Sequence, residues 1–259
     1  MIDLFAGAPR ATVLTTPVTA IGSEQAAEVV REWAAAPRGR ALCAANVHMA
    51  MEAWDDPAFA AALATADLVV CDGRPLVWAS RLLGVGGARQ ARGHDLMLAV
   101  CAEAERAGLR VGLYGGKPDV LDDLRVEVAR RFPRLAIAYA WSPPFRELTA
   151  AEDDEVCAAL GTAGVDVLFV SLGCPRQERW MLAHRERLSC TMLGVGAVFD
   201  MLTGRVGVAP AWAQRAGLEW LVRLAQEPRR LWRRYALHNA RFVALVARQR
   251  LGRLARSSR

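Results

Sequence analysis

The sequence predicts an α/β fold: a Rossmann-like, mostly parallel sheet with helices on both faces, plus a C-terminal helical basic appendage. Three observations carry this. Short apolar runs alternate with helical patterns through the first 205 residues, and strict alternation of this kind means βαβ units and a parallel sheet. The run 166–172 is short and apolar, as strands covered on both faces are. After about residue 205 the strands stop and Trp/Arg-rich helical sequence takes over. The expected division is a Rossmann-like domain over residues 1–205 and an Arg-rich appendage over 206–259.

In order, strands are expected at 12–15, 41–45, 67–71, 110–114, 135–139, 166–172 and 191–195. Helices are expected between them, near 23–35, 48–63, 75–83, 94–107, 118–131, 149–162 and 175–187. The run 166–172, DVLFVSL, shows the logic. It is short and rich in β-branched residues, Gly173 permits a tight exit, and Pro175 suits the first turn of a helix, where its missing N–H would be unpaired anyway. Gln177 and Glu178 then fall in that first turn, at the carboxyl edge of the sheet, where open α/β proteins bind ligands. An acid near the positive end of a helix dipole explains Glu178 equally well.

Composition bounds the class. With 259 residues, 53% of them hydrophobic, the chain suits one large α/β domain with an appendage, or two small domains. No run of about 20 uncharged apolar residues spans a membrane, and MIDLFAGAPR lacks the basic and apolar regions of a secretory signal. Six cysteines without a CxxC pair argue against a zinc–thiolate site or a disulfide scaffold and fit a reduced cytoplasm. Charge is uneven. From Arg205 onward there are 13 arginines and two acids, a balance of +11, which leaves −5 on the preceding 204 residues and gives the net +6. Such a tail is expected to meet something anionic.

Function should collect at strand ends. In DLVVCDGRP, Asp72 follows the strand and Gly73 turns the chain before the helix at Pro75. An Asp there is placed for ligand contact or proton transfer, or for capping the helix. Asn46 ends the strand 41–45 with both a donor and an acceptor, fit for a uracil, ribose or sugar hydroxyl and equally fit as an N-cap. His48 beside it is more often structural than catalytic. Gly115 and Gly116, with Lys117, stand between strand and helix, where backbone N–H groups can approach phosphate. In ARQARGHDL, Arg92 offers a bidentate clamp for a diphosphate, as does Arg89. No DxD triplet offers carboxylates to Mg²⁺, and the acid pairs 55–56, 122–123 and 153–154 sit where capping explains them. GxSxG and HExxH are also missing, so metal dependence is disfavoured.

Read together, Asn46 with its following helix, ADLVVCDGRP, GHDLM, LYGG, VSLGCPRQERW, GVGAVFDMLTGRVGVAP and AGLEWLVRLAQEPRRLWRRY resemble the WecG/TagA/CpsF family of bacterial glycosyltransferases. The resemblance covers roughly residues 10–235. It implies transfer of a sugar, N-acetylmannosamine or a related hexose, from a UDP-sugar to an undecaprenyl-diphosphate-linked sugar. The reaction so implied is inverting and metal-independent, needs no cofactor, and belongs to cell-surface polysaccharide or teichoic acid synthesis. The implied location is the cytoplasmic face of the membrane, with the appendage meeting the anionic lipid surface. The family's Gly-x-Pro-x-Gln-Glu motif matches Gly173, Pro175, Gln177 and Glu178, and its Asp-Gly matches Asp72-Gly73. The resemblance thus implies Asp72 as the base, with Gln177 beside it in the catalytic set. Two positions depart from the family pattern: Ala44 stands where Thr is usual, and Val208 replaces an Arg before Ala209-Pro210, leaving Arg205 as the nearby cation.

For such a reaction the diphosphate's growing charge needs N–H groups and cations; Gly115, Gly116, Arg223 and Arg230 are the candidates. The same tail charge also allows a nucleic-acid-binding protein, and a parallel sheet allows an NAD(P)-binding oxidoreductase, although neither an RNA- or DNA-binding signature nor the dinucleotide glycine fingerprint is present. Homo-oligomerisation is left open. On a helical wheel over 228–256, Leu231, Tyr235, Phe242, Leu245 and Val246 form one apolar stripe, beside Arg230, Arg234, Arg241 and Arg248. That pairing predicts a helix lying in the headgroup plane with Trp232 near the interface; packing of the stripe on the protein itself is the other reading.

Overall fold

The computed structural model describes residues 7–257, apart from the side chains of Arg230, Arg234, Arg256 and Ser257. Among the described residues, eight strands form one sheet: β1 (Arg10–Val13), β2 (Thr16–Thr19), β3 (Arg40–Ala45), β4 (Leu68–Cys71), β5 (Arg110–Gly115), β6 (Ala136–Trp141), β7 (Val167–Ser171) and β8 (Thr191–Gly194). Their order is β1-β2-β4-β3-β8-β7-β5-β6. All neighbours are parallel except β1 and β2. The strand expected at 12–15 is instead this antiparallel hairpin, because Leu14 takes the left-handed conformation (φ 57°) and turns the chain back on itself.

Alternate residues of the buried strands feed two separate cores, as the twofold repeat of a strand requires. On β3, Ala41, Cys43 and Ala45 face one core and Leu42 and Ala44 the other. The first core is covered by α2 (Val47–Asp55), α3 (Pro57–Leu63), α4 (Arg74–Leu82), α7 (Ala150–Ala163) and α8 (Arg176–His184). The second is covered by α1 (Ser23–Ala34), α5 (Gly93–Ala107), α6 (Pro118–Arg131) and α9 (Val198–Leu202). The helix expected at 48–63 is divided at Asp56. Pro57 disfavours a helical conformation at the residue before it, and Asp56 sits at φ −124°, ψ 98°, where its side chain caps α3 through Ala58 N–H and Phe59 N–H.

The C-terminal region is helical as expected: α10 (Ala211–Ala216), α11 (Glu219–Gln226) and the 30-residue α12 (Pro228–Ser257). The apolar stripe assigned to the membrane surface is used differently. Leu231, Phe242 and Val246 are buried, and Phe242 and Val246 join the first core beside Met49 and Met51 of α2. Arg241 makes two hydrogen bonds to the Asp55 carboxylate. Gln249 accepts from Leu14 N–H and donates to Thr12 O at the hairpin. Each buried side chain of this size contributes roughly 1.5–3 kcal/mol, so α12 is packed onto the body. Its exposed face carries other apolar residues: Trp232, Leu237, Val243, Leu251 and Leu254.

Candidate active site

One cleft of about 650 Å³ runs along the carboxyl ends of the parallel strands. It collects Asn46, Asp72, Gly73, Arg92, Gly116, Gly173, Gln177, Glu178 and Arg223, nine residues singled out from the sequence. Gly115 and Pro175 are not on its wall, and the side chain of Arg230 lies outside the described residues. β3 and β4 deliver Asn46 and Asp72 side by side, since Ala45 pairs with Cys71 in parallel register. β7 and β8 deliver the loops that carry Gly173 and Gly196.

Asp72 is held from three sides. Its Oδ1 accepts from Gly93 N–H at 2.8 Å, at the first residue of α5. Its Oδ2 accepts from Asn46 Nδ2 at 3.4 Å. Its backbone carbonyl accepts from Gln90 Nε2 at 2.6 Å, and that same amide reaches Glu219 on α11 at 3.3 Å. Burial pushes the Asp72 carboxyl above the usual aspartate range, opposed by Gly93 N–H, Asn46, Arg223 and Arg92. A carboxylate that is raised yet hydrogen-bonded suits a general base. Asn46 meets the capping expectation as well, because its Oδ1 accepts from His48 N–H and Met49 N–H.

Gln177 is nearly fully buried. Its Oε1 accepts from Gly196 N–H at 3.1 Å and its Nε2 donates to Glu178 Oε1 at 2.7 Å. The amide therefore ties α8 to the loop after β8. Glu178 is completely buried, and that burial raises its pKa against the opposing Gln177 hydrogen bond. Gly173, with φ 79°, gives the tight exit expected of it, and its carbonyl accepts the Gln177 N–H that starts α8. Pro175 follows a cis peptide bond and is the N-cap of α8 rather than its first residue.

The glycine pair at the end of β5 has a different physical basis from the one expected. Gly115 has φ 112°, and a Cβ there would lie 2.3 Å from Ser171 O. The N–H of Gly116 is given to the same Ser171 O at 3.0 Å. The pair answers to the close β5–β7 approach, while Lys117 beside it lines the cleft. Arg205 is held by Asp119 and Asp123 of α6 and does not line the cleft, so it is no substitute there for the Arg that Val208 replaces.

Among the described residues, the cations on the wall are Arg74, Arg92, Lys117, Arg176 and Arg223, from five different segments. Arg92 already contacts Asp95 and lies 3.9 Å from Glu219. Arg223 contacts Glu227 at 3.3 Å, and its buried Nε has no hydrogen-bond partner among the described residues. Glu219, Trp220 and Gln90 escaped sequence reasoning: the two on α11 reach the site only because the appendage folds back. GHDLM belongs to the family-like pattern, but nothing in it marks Gly93 N–H as the donor to Asp72.

Comparison with known proteins decides the class. A profile described as the "Glycosyl transferase WecG/TagA/CpsF family" matches residues 11–256. The chain belongs to this family. It is similar to the N-acetylglucosaminyldiphosphoundecaprenol N-acetyl-beta-D-mannosaminyltransferase of Bacillus spizizenii strain W23, 31% identical over 198 residues, 76% of this chain and 75% of that one. The enzyme of the same name from Bacillus subtilis strain 168 is 28% identical over 197 residues, again 76% and 75% of the two chains. The protein is therefore a glycosyltransferase, and the nucleic-acid-binding and oxidoreductase alternatives give way. No described helix is long and apolar enough to cross a membrane.

Proposed function

We propose that this glycosyltransferase moves N-acetylmannosamine, or a closely related hexose, from UDP to a polyprenyl-diphosphate-linked sugar, with inversion and without a metal at the diphosphate. The observation that carries the reading is Asp72. It is a buried, raised carboxyl at the floor of the cleft, held by Gly93 N–H and Asn46 and facing the cations of Arg92 and Arg223. The two curated relatives, named for transfer to a lipid-diphosphate sugar, support the substrate class.

In the mechanism, Asp72 takes the proton of the acceptor hydroxyl while that oxygen attacks the anomeric carbon from the side opposite UDP. The raised pKa makes its carboxylate a stronger base than an exposed aspartate. Negative charge grows on the departing diphosphate, and fixed cations stabilise it without reorganisation. Arg223, held by Glu227, takes that role, with the exposed Lys117 of the cleft wall beside the diphosphate. Gln177 and Asn46 hold the geometry, each through an amide engaged at both ends.

The enzyme works at the inner membrane face as a peripheral protein. The support is the second apolar face of α12, with Trp232, Leu237, Val243, Leu251 and Leu254 exposed and Arg233 and Arg248 also in solvent. Apolar and cationic groups in this proportion suit a headgroup-plane helix. The test is a donor screen with a short-chain polyprenyl-diphosphate N-acetylglucosamine acceptor, following UDP release. UDP-N-acetylmannosamine is expected to be turned over, and failure of every UDP-hexose would refute the donor class.

A further inference from the structure

We infer that His48, Glu52 and His238 form a divalent transition-metal site that fastens α12 to α2. His48 Nδ1 lies 3.3 Å from His238 Nδ1 and 3.5 Å from Glu52 Oε1. The three ligand atoms all lie within 4.8 Å of one another. A tetrahedral zinc ion with bonds of about 2.0–2.1 Å sets its ligand atoms about 3.3–3.4 Å apart. The two His48 separations are close to such edges.

The donor chemistry agrees. Two neutral imidazoles and one carboxylate suit zinc and its neighbours in the first transition row, with a fourth position left for water. The imidazole rings are stacked, with centroids 5.3 Å apart and planes 21° apart, and like nitrogens meet. As a simple hydrogen bond this arrangement needs one ring to donate and the other to accept, whereas a metal uses both lone pairs at once. The charge balance also fits: Glu52 supplies one negative charge, and Asp55 nearby offsets Arg241. His48 and Glu52 are partly exposed, so an ion can enter from solution.

A second His/Cys/Asp group is Asp153, Cys157 and His184. There both His184 nitrogens are engaged, Nδ1 with Trp180 O at 2.7 Å and Nε2 with Asp153 at 2.8 Å, and Arg187 also holds Asp153. That group is a closed polar network. The His48 site is set apart by its position. His48 is the second residue of α2, whose N-cap Asn46 contacts Asp72. A metal there couples the appendage to the helix that steadies the base, at a cleft wall that His48 also lines, and its role is that of a clamp.

The test uses metal-free full-length protein titrated with Co²⁺ and then Zn²⁺. One equivalent of cobalt per chain should develop visible absorption typical of nitrogen and oxygen ligation, and zinc should displace it. His238→Gln and Glu52→Gln should each weaken binding by more than about tenfold, the loss that even an outer-shell partner can cause. Zinc should raise the melting temperature of the parent protein but not of His238→Gln. Cys157→Ser should bind as the parent does. No stoichiometric uptake, or uptake that survives His238→Gln or is lost in Cys157→Ser, would overturn the assignment. Circular dichroism of each variant separates lost ligation from lost fold.

Discussion

Asn46 holds α2 with its amide oxygen and Asp72 with its amide nitrogen. Oδ1 accepts from His48 N–H at 3.0 Å and Met49 N–H at 3.2 Å, which leaves Nδ2 facing Asp72 Oδ2 at 3.4 Å. Capping of α2 and contact with Asp72 are thus two ends of one amide.

Asn46→Ala should therefore do two separable things. Losing the cap should cost about 1 kcal/mol of stability, read by urea denaturation. Losing the Nδ2 donor, which lowers the Asp72 pKa, should move the acid limb of the pH–rate profile upward. A destabilised variant with an unmoved limb would break the link between the two residues.

Glu178 makes a prediction about stability and pH. Burial raises its pKa, so the folded state keeps a proton that the unfolded chain releases at the ordinary glutamate pKa. Stability should fall as pH rises from that ordinary value through the raised one. Glu178→Gln removes the titration and should flatten that decline, measured by urea melts from about pH 4 to pH 8. Equal slopes in parent and variant would show that Glu178 does not titrate in this way.

The two apolar faces of α12 should separate by mutation. Phe242→Ala, in the core, should cost about 3–5 kcal/mol. Leu237→Glu with Leu251→Glu, on the exposed face, should leave the melting temperature nearly unchanged yet cut co-sedimentation with anionic vesicles. Parent binding should also weaken with salt, since each Arg near an anionic leaflet adds on the order of 1 kcal/mol under ionic screening. Undiminished vesicle binding by the double variant would remove this face from membrane contact.

Much of this was legible in the sequence because β/α alternation places chemistry at strand ends by construction. Asn46, Asp72 and Gln177 meet for that reason alone. What was not legible depended on long-range closure. A helical wheel shows that a stripe of α12 is apolar but not what covers it, and Phe242 and Val246 of that stripe join the core that α2 covers. Glu219 and Gln90 are 129 residues apart in the chain and touch only when α11 folds over the cleft. The hairpin at Leu14 was hidden because nothing in RATVLTTPVT advertises a turn: neither glycine nor asparagine marks it.

Chelation tests the separation of chemistry from clamping. EDTA should lower the melting temperature, through loss of the His48–Glu52–His238 ion, while transfer persists well below that temperature. Abolished transfer restored only by Mg²⁺ or Mn²⁺ would place a metal on the diphosphate and contradict charge stabilisation by Arg223 and Lys117.

The most direct test of the account is the pH dependence of transfer by Asp72→Asn against the parent. Burial raises the Asp72 pKa, so parent activity should climb with pH through a limb above the usual aspartate range, as the base ionises. Asp72→Asn should bind UDP normally, lose about 10²–10⁴-fold in kcat, and show no such limb. Near-parental turnover by the folded variant, or retention of the same limb, would mean that another group takes the proton.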